Sequence, residues 1–125
     1  MATKVCLKID GVELAGELGG SQAAQTLAAR LPLEISMSRW GQEYYGSIGA
    51  PLEGVSGQTQ EVMAKGDLAY WEPGNAFCLF FGPTPISSGE EPVAAGPVHL
   101  VGAVEGDWSR VGALGSAVTA KLDRA

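Results

Sequence analysis

Histidine is almost missing from this chain: among 125 residues only His99 carries an imidazole. A multi-histidine metal centre is thereby excluded, a Ser-His-Asp arrangement has one imidazole at most to draw on, and neither metal nor cofactor is expected. Cysteine is nearly as scarce. Cys6 and Cys78 lie far apart, and the opening MATKVCLKID has neither the apolar core nor the cleavage site of a secretion signal. Both cysteines therefore read as reduced core thiols, with a cytoplasmic location as the default expectation. Phe77, Leu79 and Phe80 surround Cys78 with apolar bulk, which raises a thiol's pKa and argues against a reactive nucleophile. Basic residues number eight against fourteen acidic ones, for a net charge of -6. Binding to nucleic acid draws on Lys and Arg displacing counterions, so a nucleic-acid partner is not expected. No window approaches the roughly 18 to 20 apolar residues of a membrane span.

What the chain does have is 46% hydrophobic residues, eighteen glycines and seven prolines. That apolar content suits one folded domain over residues 1–125, and the density of turn formers favours a mainly β fold. Val5, Leu7 and Ile9 alternate with polar neighbours, Asp10-Gly11 signals a hairpin, and Val12, Leu14 and Gly16 continue the period of two. Ser21 stands as an N-cap before a helix predicted over 22–31, with Ala23, Leu27 and Leu31 as its apolar stripe and Pro32 as its stop. Further strands are predicted from Leu33, around Glu43-Tyr44-Tyr45, and over Val98–Val104 and Ala117–Leu122, with loops at 46–61 and 83–97. One helix among about eight strands suggests a closed or nearly closed antiparallel barrel, with room for short helical turns, because closure removes exposed edges.

The most specific stretch is Gly66 to Pro85, GDLAYWEPGNAFCLFFGPTP, which holds five of the nine aromatics. Asp67–Trp71 reads as a strand and Glu72-Pro73-Gly74-Asn75 as a type II turn, with Gly74 supplying the positive φ. Asn75–Phe81 is a nearly continuous apolar strand, the pattern of burial on both faces. Asp67 and Asp107 each follow a glycine and read as turn-capping residues rather than a catalytic pair.

With these elements the chain resembles the cyclophilin-like fold family of small prokaryotic proteins. The resemblance runs through the opening hairpin, the Ser-Gln-Ala-Ala helix ending at Leu31-Pro32, Trp40-Gly41-Gln42-Glu43-Tyr44-Tyr45, the central run and Pro97-Val98-His99-Leu100-Val101-Gly102. It implies a barrel of about eight strands with helical caps, related in architecture to peptidyl-prolyl isomerases. The Phe-His-Arg motif that supplies the isomerase arginine is absent, its nearest equivalent being Ser38-Arg39-Trp40. His99 also stands one residue out of step with the cyclophilin histidine, and one residue reverses the face of a strand.

Trp40 and Tyr45, flanked by polar residues, are the aromatic pocket candidates, whereas most of the other rings read as core. Arg39 is placed either to anchor a carboxylate or carbonyl or, as the plainer reading, to form a surface ion pair with a residue such as Glu43. The candidate binding set is Arg39, Trp40, Glu43, Tyr45, Phe80 and His99. The expected function is a binding module for a small molecule or an extended, proline-containing peptide. An atypical peptidyl-prolyl isomerase or another small-molecule enzyme is the alternative, and a homodimer through an edge or an aromatic surface is left open.

Overall fold

Asp10 and Gly11 both adopt positive φ, 43° and 88°, in the two-residue turn that joins β1 (Thr3–Ile9) to β2 (Val12–Leu18). This is the twist-matched hairpin turn that an Asp-Gly pair favours. The computed structural model describes residues 2–125. After the hairpin come α1 (Gln22–Ala28), β3 (Leu33–Arg39), β4 (Glu43–Ser47), β5 (Gln60–Val62), β6 (Asp67–Trp71), β7 (Ala76–Phe80), β8 (Val93–Glu105), α2 (Trp108–Gly112) and β9 (Ala117–Arg124).

All pairings are antiparallel, in the order β2-β1-β9-β3-β4-β7-β6-β8, and β8 pairs back onto β2 to close an eight-stranded barrel. Strand β5 is extra, hydrogen-bonded only to the first half of β8. The interior holds Leu7, Leu14, Leu18, Ile35, Tyr44, Leu68, Tyr70, Phe77, Leu79 and Leu122, all at most 1% exposed. Helix α1 packs on β8 and β2 with Ala23, Ala24, Leu27 and Ala28 buried. The Ser21 hydroxyl accepts from the Ala24 N–H, as expected of an N-cap. The helix ends at Ala28, three residues before the predicted end. Arg30 and Leu31 donate instead to Leu27 and Ala28 in a tightened last turn, because Pro32 cannot continue the ladder.

Three further departures from the sequence reading shape the functional surface. The turn before β7 is a 3-10 helix over Glu72–Gly74, and Asn75, not Gly74, takes the left-handed conformation at φ 49°. Asn75 is held there by its own side chain, which donates to the Gly49 carbonyl and accepts from the Tyr70 hydroxyl. Helix α2 follows Asp107, whose carboxylate accepts from the Ser109 and Arg110 N–H groups. Strand β8 begins at Val93, five residues ahead of its predicted start, since Pro92 and Pro97 gave this stretch the composition of a loop.

The early start of β8 creates a second core outside the barrel. Strand β7 is buried at every position. Phe77 and Leu79 face inward, while Ala76, Cys78 and Phe80 join Ala69, Met63, Ala94 and Val98 in a separate cluster on the outer wall. The continuous apolar run of β7 is thus the pattern of a strand covered on both sides. Among the described residues no helix is long and apolar enough to cross a membrane.

Candidate functional site

Trp40 and Glu43 flank the two-residue loop Gly41-Gln42 and exchange backbone hydrogen bonds, 2.8 Å from the Trp40 N–H and 3.1 Å from the Glu43 N–H. Gly41 has φ 60°, as the first loop residue of such a hairpin requires. Residues directly opposed in an antiparallel pair project to the same face. The indole and the carboxyl therefore leave the barrel wall together. Tyr45, two residues on, shares that face and is opposed by Cys78 of β7, while Phe80 opposes Glu43. Cys78 is opposed in turn by Ala69 of β6, and Ala76 by Trp71.

On this face lies a cavity of about 310 Å³, at the small end of the roughly 300–1,000 Å³ typical of ligand sites. One wall is Trp40, Glu43, Tyr45, Trp71 and Cys78; the other is Ala94, Ala95, Gly96 and Val98 from the first half of β8. The Trp71 ring is seated over Gly74, where a Cβ would overlap it, and the Trp71 Nε1 lies near Gly96.

Glu43 is the only charged side chain in this lining. It is 5% exposed, and burial pushes its carboxyl from 4.5 to about 7. The Cys78 thiol lies beside it and only partly counters that rise, while its own hydrogen bond runs to the Ala76 carbonyl, 3.8 Å away. Desolvation first, and then the neighbouring Glu43, push the thiol itself well above the usual range, so it remains protonated at neutral pH. A carboxyl poised near neutrality in an apolar cavity is able to accept or release a proton, or to face a cation.

The structure brings Trp40, Glu43 and Tyr45 of the six predicted site residues into this cavity. Phe80 shares their face but is fully buried in the outer cluster beneath it. His99 is 8% exposed and faces away beside Tyr70, its register partner, with Nε2 3.9 Å from a Glu72 carboxylate oxygen. Arg39 is opposed by Tyr44, on the face opposite to Trp40. Its guanidinium sits 5.7 Å from the Tyr44 ring centroid and 5.3 Å from that of Phe81, and donates to the carbonyls of Gly41, Gly112 and Leu114. It makes no ion pair with Glu43; it anchors the end of α2 to the barrel rim, where the Tyr44 hydroxyl also donates to Gly115.

Sequence reasoning missed Trp71, Cys78 and the Ala94–Val98 wall. Trp71 was legible as the residue that shares a face with Ala69 and Asp67. The wall was not, because nothing local reveals that a Pro-flanked stretch pairs as a strand. Among the described residues no three His, Cys, Asp or Glu side chains gather as a metal site would need.

Residues 3–121 match the family model described as cyclophilin-like. The solution structure of a hypothetical protein from Archaeoglobus fulgidus is similar at a TM-score of 0.79 and 27% identity, over 98% of this chain and 95% of that one. No curated protein matches the chain. The family match over nearly the whole chain and the closed eight-stranded barrel agree, and the chain belongs to the cyclophilin-like family.

Proposed function

We propose that this protein is a small-molecule-binding barrel whose ligand occupies the outer-face cavity of Trp40, Glu43, Tyr45 and Trp71. One observation carries the reading: Glu43 is 5% exposed, yet no charged or amide side chain of the lining answers its carboxyl. Burial that raises a carboxyl's pKa in this way lowers the stability of the folded protein as pH rises from about 4.5 towards 7, which a purely structural position would not require.

The small volume of the cavity, about 310 Å³, suits a small molecule better than an extended peptide. The isomerase alternative calls for a guanidinium beside the prolyl nitrogen, to weaken amide resonance. Arg39 is tied to three backbone carbonyls on the other face of the sheet, so no observation favours that reading over simple binding.

Thermal shift of the whole chain against a metabolite panel and proline-containing peptides tests the proposal, since a ligand that binds only the native state raises the midpoint by mass action. Hits whose shift disappears in Trp71→Leu support it. Hits that keep their full shift in both Trp71→Leu and Glu43→Gln place the ligand elsewhere and overturn it.

A further inference from the structure

We infer that the ligand of the outer-face cavity carries an alkylated ammonium group, seated among the rings of Trp40, Tyr45 and Trp71 with the Glu43 carboxylate as its counter-charge. The inference rests on reading this cavity as a ligand site. Three aromatic rings, from the residue just past β3, the end of β6 and the middle of β4, line the same cavity as one carboxylate. Ring faces attract cations through their quadrupole, and several rings around one carboxylate form the aromatic-cage chemistry that accepts methylated ammonium ions.

The remaining lining selects within this class. Cys78, Ala94, Ala95, Gly96 and Val98 bring no charged or amide side chain. A primary ammonium or a guanidinium arrives with several N–H donors and meets one carboxylate, leaving donors unsatisfied in an apolar cavity. Methyl groups on the nitrogen need no acceptors and pack against rings and alanines. An anionic ligand would meet the Glu43 charge directly, and a neutral apolar one gives no reason for a carboxyl buried to 5% exposure. Among the described residues no Lys, Arg or His lines the cavity, and Arg39, the cation nearest to Glu43 in sequence, is held on the opposite face.

Ionisation of Glu43 is coupled to such a ligand. Burial raises its carboxyl to about 7, and a bound cation favours the charged form, so binding releases a proton and affinity rises with pH through neutrality. The other titratable groups of the lining are Cys78 from β7 and Tyr45 from β4. The β8 wall contributes none, and Asp67, further along the same face of β6, has its carboxylate turned to the Ala64 N–H.

A free quaternary ammonium compound and a methylated lysine side chain present the same chemistry. Titrations followed by the indole N–H signals in a nitrogen-15 correlation spectrum compare choline, terminally blocked trimethyllysine and 3,3-dimethylbutan-1-ol, the neutral isostere of choline. Three tryptophans give three signals, and Trp108, outside the cavity, serves as the internal control. The expected result is movement of the Trp40 and Trp71 signals alone, with the cation binding about tenfold more tightly than its isostere or better at pH 8. Glu43→Gln should shrink that ratio, and lowering the pH to 5.5 should do the same in the native sequence. The tighter of the two cationic probes identifies the source. Equal affinity for cation and isostere would overturn the ammonium inference while leaving the cavity as a ligand site; the absence of any movement at Trp40 and Trp71 would overturn both.

Discussion

Glu43 of β4 lies directly opposite Phe80 of β7, the carboxyl lining an apolar cavity and the ring fully buried in the outer-wall cluster. The pair marks where the second core of this barrel gives way to open space. A carboxyl set against such an apolar wall loses most of its hydration, and that loss explains its raised pKa.

Stability should carry the signature of that carboxyl. Its folded pKa, about 7, stands above the unfolded 4.5, so between these values the folded protein holds a proton that the unfolded chain has released. Stability contributed by the protonated form is complete below about pH 4.5 and is lost as pH rises towards 7. Glu43→Gln should remove this decline and stabilise the protein at pH 8 by up to about 3 kcal/mol. Urea denaturation of both proteins from pH 4.5 to 8 measures it, and parallel curves would contradict the assignment.

Gly41 should tolerate no side chain. Its φ of 60° is unfavourable for any L residue with a Cβ, and a Cβ there would lie 2.7 Å from Pro85 Cδ and 2.9 Å from Thr84 Cα. Gly41→Ala should cost about 2 kcal/mol or more and displace the Trp40 and Glu43 side chains. A denaturation midpoint and a Trp40 indole signal both unchanged from the native protein would refute this.

Arg39 should separate stability from binding. Replacement by methionine keeps the packing on Tyr44 and Phe81 but leaves the carbonyls of Gly41, Gly112 and Leu114 without this donor. A loss of about 2 to 3 kcal/mol and faster hydrogen exchange around α2 are expected. Ligand affinity at the cavity should stay within about twofold, because the backbone pair between Trp40 and Glu43 still holds the loop when the Gly41 contact is lost.

The two thiols should react very differently. Cys78 is 2% exposed and held protonated, whereas Cys6 is partly exposed on β1. Iodoacetamide at pH 8 should label Cys6 in the native protein and reach Cys78 only after denaturation, as read by mass spectrometry. Rapid native labelling of Cys78 would show that the outer cluster is less closed than its burial implies.

Much of the fold was legible before any coordinates. The first hairpin, the Ser21 cap, the barrel class and the two-sided burial of β7 follow from period, turn chemistry and an unbroken apolar run. Alternation even separates Arg39 from Trp40, since neighbours on a strand face opposite ways, and it groups Glu43 with Tyr45. Grouping all of these residues with Phe80 and His99 drew on nearness in sequence and on aromatic content, neither of which decides a face.

By itself, the order of residues determined which side chains share a face of each strand, because the period of two is a local property of extended backbone. It determined equally where the first hairpin turns, through Asp10-Gly11. Only the tertiary structure decided which faces meet. The wall from Ala94 to Val98 reaches the cavity by pairing with β5, more than thirty residues earlier in the chain, and by lying over a barrel face built from β4, β7 and β6. Long-range closure of this kind makes a buried carboxyl, with only the Cys78 thiol beside it, out of an unremarkable Glu43, since desolvation depends on everything packed around a group and not on its neighbours in the chain.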